Sequence, residues 1–102
     1  MTEKAKSMLR LAKKAGKITL GYDATVEEIK KKRSCLVIIA KDLSYKTFKK
    51  LGRYSENIIV NLSMIEIYEI LGKTSGIISV NEKGFAKEIN RLLLEDIISK
   101  LE

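Results

Sequence analysis

Leu36-Val37-Ile38-Ile39-Ala40 is an unbroken apolar run of strand length, rich in β-branched residues, and it limits the possible folds more than any other segment. A strand with one face in water alternates polar with apolar residues. One that is apolar at every position has to be covered on both faces. A central strand in a sheet with helices above and below meets that demand. Cys35 opens the run, where a free thiol behaves as a small core hydrophobe.

The flanking segments alternate between helical and extended patterns. Met1 to Ala15 sets Ala5, Met8, Leu9, Ala12 and Ala15 at helical spacing, with Lys4, Lys6, Arg10, Lys13 and Lys14 on the other faces, and Gly16 ends the helix. Ile18 to Leu20 reads as an edge strand that Gly21 closes. A second helix follows, with Asp23 as its expected N-cap and Tyr22, Val26 and Ile29 on its inner side. Beyond the central strand, Asp42 and Ser44 offer capping oxygens to a helix with Tyr45, Phe48 and Leu51 inward and Lys46, Lys49, Lys50 and Arg53 outward; Gly52 sits near its end.

Asn57 to Leu62 reads as the third strand. Ser63 and Glu66 have capping-box spacing and start a short helix that Gly72 closes. Ile77 to Val80 reads as the fourth strand, and Glu82 to Leu101 as a long helix with Phe85, Ile89, Leu92, Leu93 and Ile97 inward. The order αβαβαβαβα predicts the α/β class: a three-layer α/β/α sandwich around a four-stranded mixed central sheet. A chain of 102 residues suits one core, so residues 1–102 are expected to form a single domain.

Charge points to the partner. Twenty Lys and Arg against thirteen Asp and Glu give a formal charge of +7, which favours a polyanion, nucleic acid first. A membrane surface is the competing polyanion, but it calls for large exposed apolar groups on a basic helix, and the chain has no Trp, four Tyr and two Phe. No apolar stretch approaches the roughly 18 residues of a spanning helix. One Cys and no His build neither a disulfide framework nor a zinc site. The expectation is a cytoplasmic protein without a cofactor or metal.

Catalytic readings find little support. Gly72-Lys73-Thr74 resembles the end of a phosphate-binding loop, but the first glycine of that motif falls on Ile67, and the segment follows a helix where the motif requires a strand. Proton transfer at neutral pH usually draws on His, which is absent. Glu27-Glu28, Glu82 and Glu95-Asp96 have the spacing of solvated helix charges. A non-enzymatic protein is expected.

The basic residues cluster. Lys13-Lys14, Lys17, Lys30-Lys31-Lys32-Arg33 and Lys41 fall at the ends of the first two helices and first two strands, a pattern that suggests one shared rim. Between them Gly21-Tyr22-Asp23-Ala24-Thr25 forms a strand-to-helix junction with free backbone amides and small polar side chains, suited to phosphates and base edges.

The segments LRLAKKAGKITLGYDATVEEIKKKR, CLVIIAKDLS, ILGKTSG and NEKGFAKEINRLL, in this order and spacing, resemble the kink-turn-binding family of ribosomal proteins often called seven-Ae, and within it the bacterial YlxQ-like branch. The resemblance implies the same α/β/α fold. It implies that Gly21 opens a helix entering the widened groove of a kinked RNA. At the family's usual Asn, Glu and Lys reader positions this chain has Asp23, Ala24 and Glu27. The resemblance also implies an apolar contact to an extruded nucleotide from the loop between the third strand and the next helix, where Met64 and Ile65 stand.

The expected function is therefore non-catalytic binding of structured, kink-turn-like RNA, ribosomal or ribosome-associated, by a monomer that also meets ribosomal proteins. Its expected contacts are Lys17, Gly21, Tyr22, Asp23, Thr25, Lys30, Lys31, Lys41, Met64 and Ile65. Gly21 would admit the backbone closely, Asp23 and Thr25 would meet base edges or sugar, and the lysines would neutralise phosphates. The alternative is a protein-interaction module of the same descent that has lost the specific kink-turn readout.

Overall fold

The computed structural model describes residues 2–55 and 57–101. The chain runs α1 (Glu3–Lys14), β1 (Ile18–Leu20), α2 (Tyr22–Lys30), β2 (Leu36–Ile39), α3 (Tyr45–Leu51), β3 (Ile58–Val60), α4 (Met64–Leu71), β4 (Ile77–Val80) and α5 (Lys83–Leu101). Met1, which begins the first predicted helix, lies outside the described residues.

The four strands form one sheet in the order β1-β4-β2-β3. β4 pairs antiparallel with both β1 and β2, and β2 pairs parallel with β3, so the sheet is mixed. Every residue of β2 and of β4 is buried. The period of two in β2 divides its side chains between two cores. Leu36, Ile38 and Ala40 join Ile78 and Val80 under α1, α4 and α5, while Val37 and Ile39 join Ile77 under α2 and α3. The result is the expected three-layer α/β/α sandwich, with β1 and β3 as its edges.

The caps explain where the helices stop and start, and some of them differ from expectation. Ser44 Oγ accepts from the Thr47 amide at 3.2 Å and caps α3. Asp42 serves a different helix: its Oδ1 accepts from the Met64 amide at 2.9 Å, pinning the start of α4 from the loop after β2. Ser63 and Glu66 make the expected reciprocal capping box, and Gly72 ends α4 in the left-handed region. α2 is capped by Gly21, and Asp23, expected as the cap, stands inside the first turn. Among the described residues, no side-chain oxygen caps this helix.

In α5, Ile89, Leu92 and Leu93 are buried as expected and Phe85 packs against the core. Ile97 is not inward. It is exposed together with Leu94, Ile98 and Leu101, so the buried stripe of α5 ends at Leu93.

Candidate nucleic-acid interface

Gly21 leaves β1 with φ +100° and ψ 165°, a backbone region open essentially to glycine alone. Its amide donates to the Ile77 carbonyl at 3.0 Å, and its carbonyl accepts the first helical bond of α2, from Thr25, at 3.1 Å. The amides of Tyr22, Asp23 and Ala24 precede that bond, so they lack helical acceptors and carry the positive end of the helix dipole. A Cβ at Gly21 would meet nothing within 4 Å among the described residues, which leaves the space beside it open.

The sheet decides what surrounds it. β1 and β4 are antiparallel, so the residues before β4 lie beside those after β1. A cleft of ≈ 410 Å³ follows the outer edge of β1 and the start of α2, lined by Lys13, Ile18 to Gly21, Ala24, Lys73, Thr74 and Ser75. It holds two lysines and no carboxylate among its lining residues. The Lys13 ammonium donates to the Leu71 carbonyl and so tethers the end of α1 to the end of α4. Lys73 and Thr74 are exposed, in the turn between the left-handed Gly72 and the buried Gly76.

The other expected contacts distribute unevenly. Ala40 donates to the Gly76 carbonyl at 2.8 Å and Lys41 to the Leu62 carbonyl at 2.8 Å, which puts exposed Lys41 on the same rim as Gly21, two strands across. Tyr22 packs half-buried against the core beneath α2, and Asp23 is exposed. Asp23, Glu27, Lys30 and Lys31 line one shallow surface along α2. Lys31 is tied to Glu27 at 2.6 Å, and this ammonium holds the Glu27 carboxyl below the usual carboxylate range. Lys30 Nζ stands 5.5 Å from the centroid of the Tyr54 ring.

Three expectations need correction. Thr25 is fully buried and its hydroxyl has no hydrogen-bond partner among the described residues, so it meets the core and cannot touch a ligand at the surface. Lys17 sits at the far end of the sheet. Its carbonyl accepts from the Asn81 amide beyond β4 at 2.8 Å, and its charge acts on Glu82. The end of α2 shares that far end, where Cys35 donates to the Val80 carbonyl, so the early cations do not gather on one rim. Met64 lies close to Gly76 and packs against the core, and Ile65 is exposed in the first turn of α4, but neither lines the cleft beside Gly21.

Lys13, Lys73, Thr74 and Ser75 occupy the place beside Gly21. Lys13 belongs to the basic cluster visible in the sequence, whereas the signal for Lys73, Thr74 and Ser75 lay in the pairing of the first and last strands, which no local pattern reveals. The turn that fails as a phosphate-binding loop is the one that lines the cleft.

Residues 3–87 match the model of the ribosomal protein L7Ae/L30e/S12e/Gadd45 family. The chain is 30% identical over 95 residues to the RNA-binding protein YlxQ of Enterococcus faecium, across 89% of this chain and 92% of that one. It is 31% identical over 91 residues to the RNA-binding protein YlxQ of Bacillus subtilis (strain 168), across 84% and 91%. A protein of unknown function from Bacillus halodurans C superimposes with a TM-score of 0.81 at 27% identity, over 89% of this chain and 97% of that chain. The Giardia lamblia 15.5kD RNA binding protein shares the fold, with a TM-score of 0.66 at 14% identity over 87% of each chain. The fold, the glycine-opened helix and these matches together show that the chain belongs to the ribosomal protein L7Ae/L30e/S12e/Gadd45 family.

Proposed function

We propose that this chain acts as a single, monomeric, non-catalytic domain that binds structured, kink-turn-like RNA in the cytoplasm, on or near the ribosome and its proteins. The observation that carries this reading is the cleft at Gly21, where open helix-start amides stand between Lys13 and Lys73 with no carboxylate in the lining. Such a site offers hydrogen-bond donors and positive charge to phosphate and sugar, and an unobstructed approach to base edges. That the relatives from Enterococcus faecium and Bacillus subtilis are named RNA-binding proteins supports the same reading.

Gly21 lets the RNA backbone come close. Tyr22, Asp23 and Ala24 supply the free amides, and exposed Asp23 accepts from guanine or cytosine amino groups. Lys13, Lys73 and Lys41 neutralise phosphates along the rim. Lys30 and Lys31 follow on the outer surface of α2, with Lys31 already partnered by Glu27. Ile65, exposed in the first turn of α4 and away from the cleft lining, offers an apolar contact to RNA that extends beyond the cleft. Asp23 and Glu27 place negative charge where the family's usual readers are neutral or positive, so the preferred RNA differs from a standard kink-turn in the pairs it presents to α2.

The test compares a kink-turn hairpin with a duplex of equal length across a salt series. Several phosphate contacts give a steep fall of affinity with salt, and the hairpin binds more tightly than the duplex at every concentration. Equal affinity for both RNAs removes the structured-RNA reading. Binding to neither leaves the protein-interaction module as the function of this surface.

A further inference from the structure

α3 takes no part in the Gly21 cleft, although its charged residues are all cations. Lys46, Lys49, Lys50 and, just beyond the helix, Arg53 are all exposed, and none of them is in an ion pair among the described residues. The first turn of α3 has no acidic residue, although the helix dipole favours one there. Lys46 and Lys50 stand four residues apart, a spacing at which like charges destabilise a helix. A helix of seven residues that accumulates such repulsion is suited to an external polyanion.

An aromatic ring lies among these charges. Tyr45, expected inward, is instead 75% exposed, and its ring stacks on Phe48 with centroids 6.3 Å apart and planes 19° from parallel. Phe48 packs against the core, so the stack holds the Tyr45 ring in a defined pose. Lys49 is four residues along the helix from Tyr45, and therefore on its side. Lys41, Leu43, Phe48 and exposed Val60 line a shallow depression with Tyr45 at the end of β2.

We propose that Tyr45, flanked by Lys41 and Lys49, is a second RNA-contact surface that takes an unpaired nucleotide, its base on the tyrosine ring and the adjoining phosphates on the lysines. An aromatic platform inside a cationic groove is the arrangement that binds single strands without sequence preference, because every base has a π-face. A duplex hides its base faces and leaves the ring without a partner. Lys41 follows β2 on the rim that Gly21 occupies, two strand spacings or about 10 Å across the sheet, and it lines one depression with Tyr45. A single strand leaving RNA seated at the Gly21 cleft runs onto this ring. The inference thus rests on the proposed RNA-binding function and extends it to the unpaired flank of the structured element.

The full chain is titrated with four labelled RNAs: a blunt kink-turn hairpin, the same hairpin with an oligouridine tail on its 5′ or on its 3′ strand, and free oligouridine. One of the tails should raise affinity by about tenfold over the blunt hairpin. Tyr45→Ala should remove that gain while leaving blunt-hairpin affinity and melting temperature unchanged. Tyr45→Phe should keep the gain, because the ring and not the hydroxyl does the stacking, and Lys49→Glu should reduce it. A tail that adds nothing on either strand, or a gain that survives Tyr45→Ala, overturns the proposal. Should the blunt hairpin fail to bind, the kink-turn reading falls and free oligouridine still decides. Binding lost in Tyr45→Ala and kept in Tyr45→Phe upholds the surface, whereas absent binding, or binding indifferent to both, overturns it. Capture of an acidic polypeptide such as polyglutamate with no response to any tail also overturns it.

Discussion

The Gly21 amide and the Ile77 carbonyl meet at 3.0 Å, and this bond fixes the start of α2 against the first residue of the strand beside it. It settles two matters together. The glycine is held in a conformation with φ +100°, and the turn carrying Lys73 to Ser75 is brought alongside the open amides of the helix.

Replacing Gly21 with Ala separates conformation from space. The added methyl would meet nothing within 4 Å among the described residues, so its cost is backbone strain, of order 1–3 kcal/mol for a residue forced into this region. For a domain of this size that corresponds to a fall in Tm of roughly 4–8 °C per kcal/mol. Thermal melts followed by circular dichroism should show the drop. Affinity for the hairpin should fall as well, because relief of the strain shifts the amides that face the cleft. Unchanged Tm with unchanged affinity would contradict the role assigned to this backbone.

Charge reversal distinguishes the two ends of the sheet. Lys13→Glu and Lys73→Glu alter the cleft itself, and each should weaken hairpin binding and reduce the salt slope by about one unit, the signature of one lost phosphate contact. Lys17→Glu lies beyond the opposite end of β4 and should change the slope far less. Equal effects from all three would indicate attraction to net charge alone.

Much of this arrangement could be read from the chain, and the parts that could not share a physical cause. The run Leu36 to Ala40 announces a strand covered on both faces, and every residue in it is buried between the two cores. The box of Ser63 with Glu66 and the terminating Gly72 are local chemistry, and local chemistry is legible. Asp23 misleads because a side-chain oxygen is the usual sign of an N-cap, whereas Gly21 caps through its positive φ and leaves the amides free. Asp42 reaches a helix 22 residues away, a contact that spacing along the chain does not encode. The same limit hides the cleft. Strand order β1-β4-β2-β3 brings Lys73 to Gly21 and sends Lys17 away, and strand order follows from tertiary packing, not from periodicity.

Thr25 offers a stability test on the buried side of α2. Its hydroxyl is buried without a hydrogen-bond partner among the described residues, and an orphaned buried hydroxyl costs on the order of 1–3 kcal/mol. Thr25→Val keeps the shape and removes the polar group. Urea unfolding should show a gain of about 1 kcal/mol, with hairpin affinity unaltered, since the side chain faces the core. A loss of affinity at unchanged stability would return Thr25 to the list of surface contacts.

Glu82 supplies the acid limb of the stability profile. Its carboxylate accepts from the Gly84 amide and from the Phe85 amide, each at 2.7 Å, and so caps the first turn of α5. The Phe85 amide foremost, then the Gly84 amide, hold its pKa below the ordinary glutamate value of about 4.5, and the Lys17 charge acts in the same direction. A carboxyl lowered by folding stabilises the native state fully above that ordinary value, and the contribution disappears as pH falls through the lowered one. Glu82→Gln keeps an acceptor oxygen but has no proton to gain. The variant should therefore melt below the wild type at neutral pH, and the gap between the two Tm curves should close as the pH falls below the ordinary glutamate value. A gap of constant width down to acid pH would mean that the charge of this cap contributes nothing, and that Glu82 holds α5 through geometry alone.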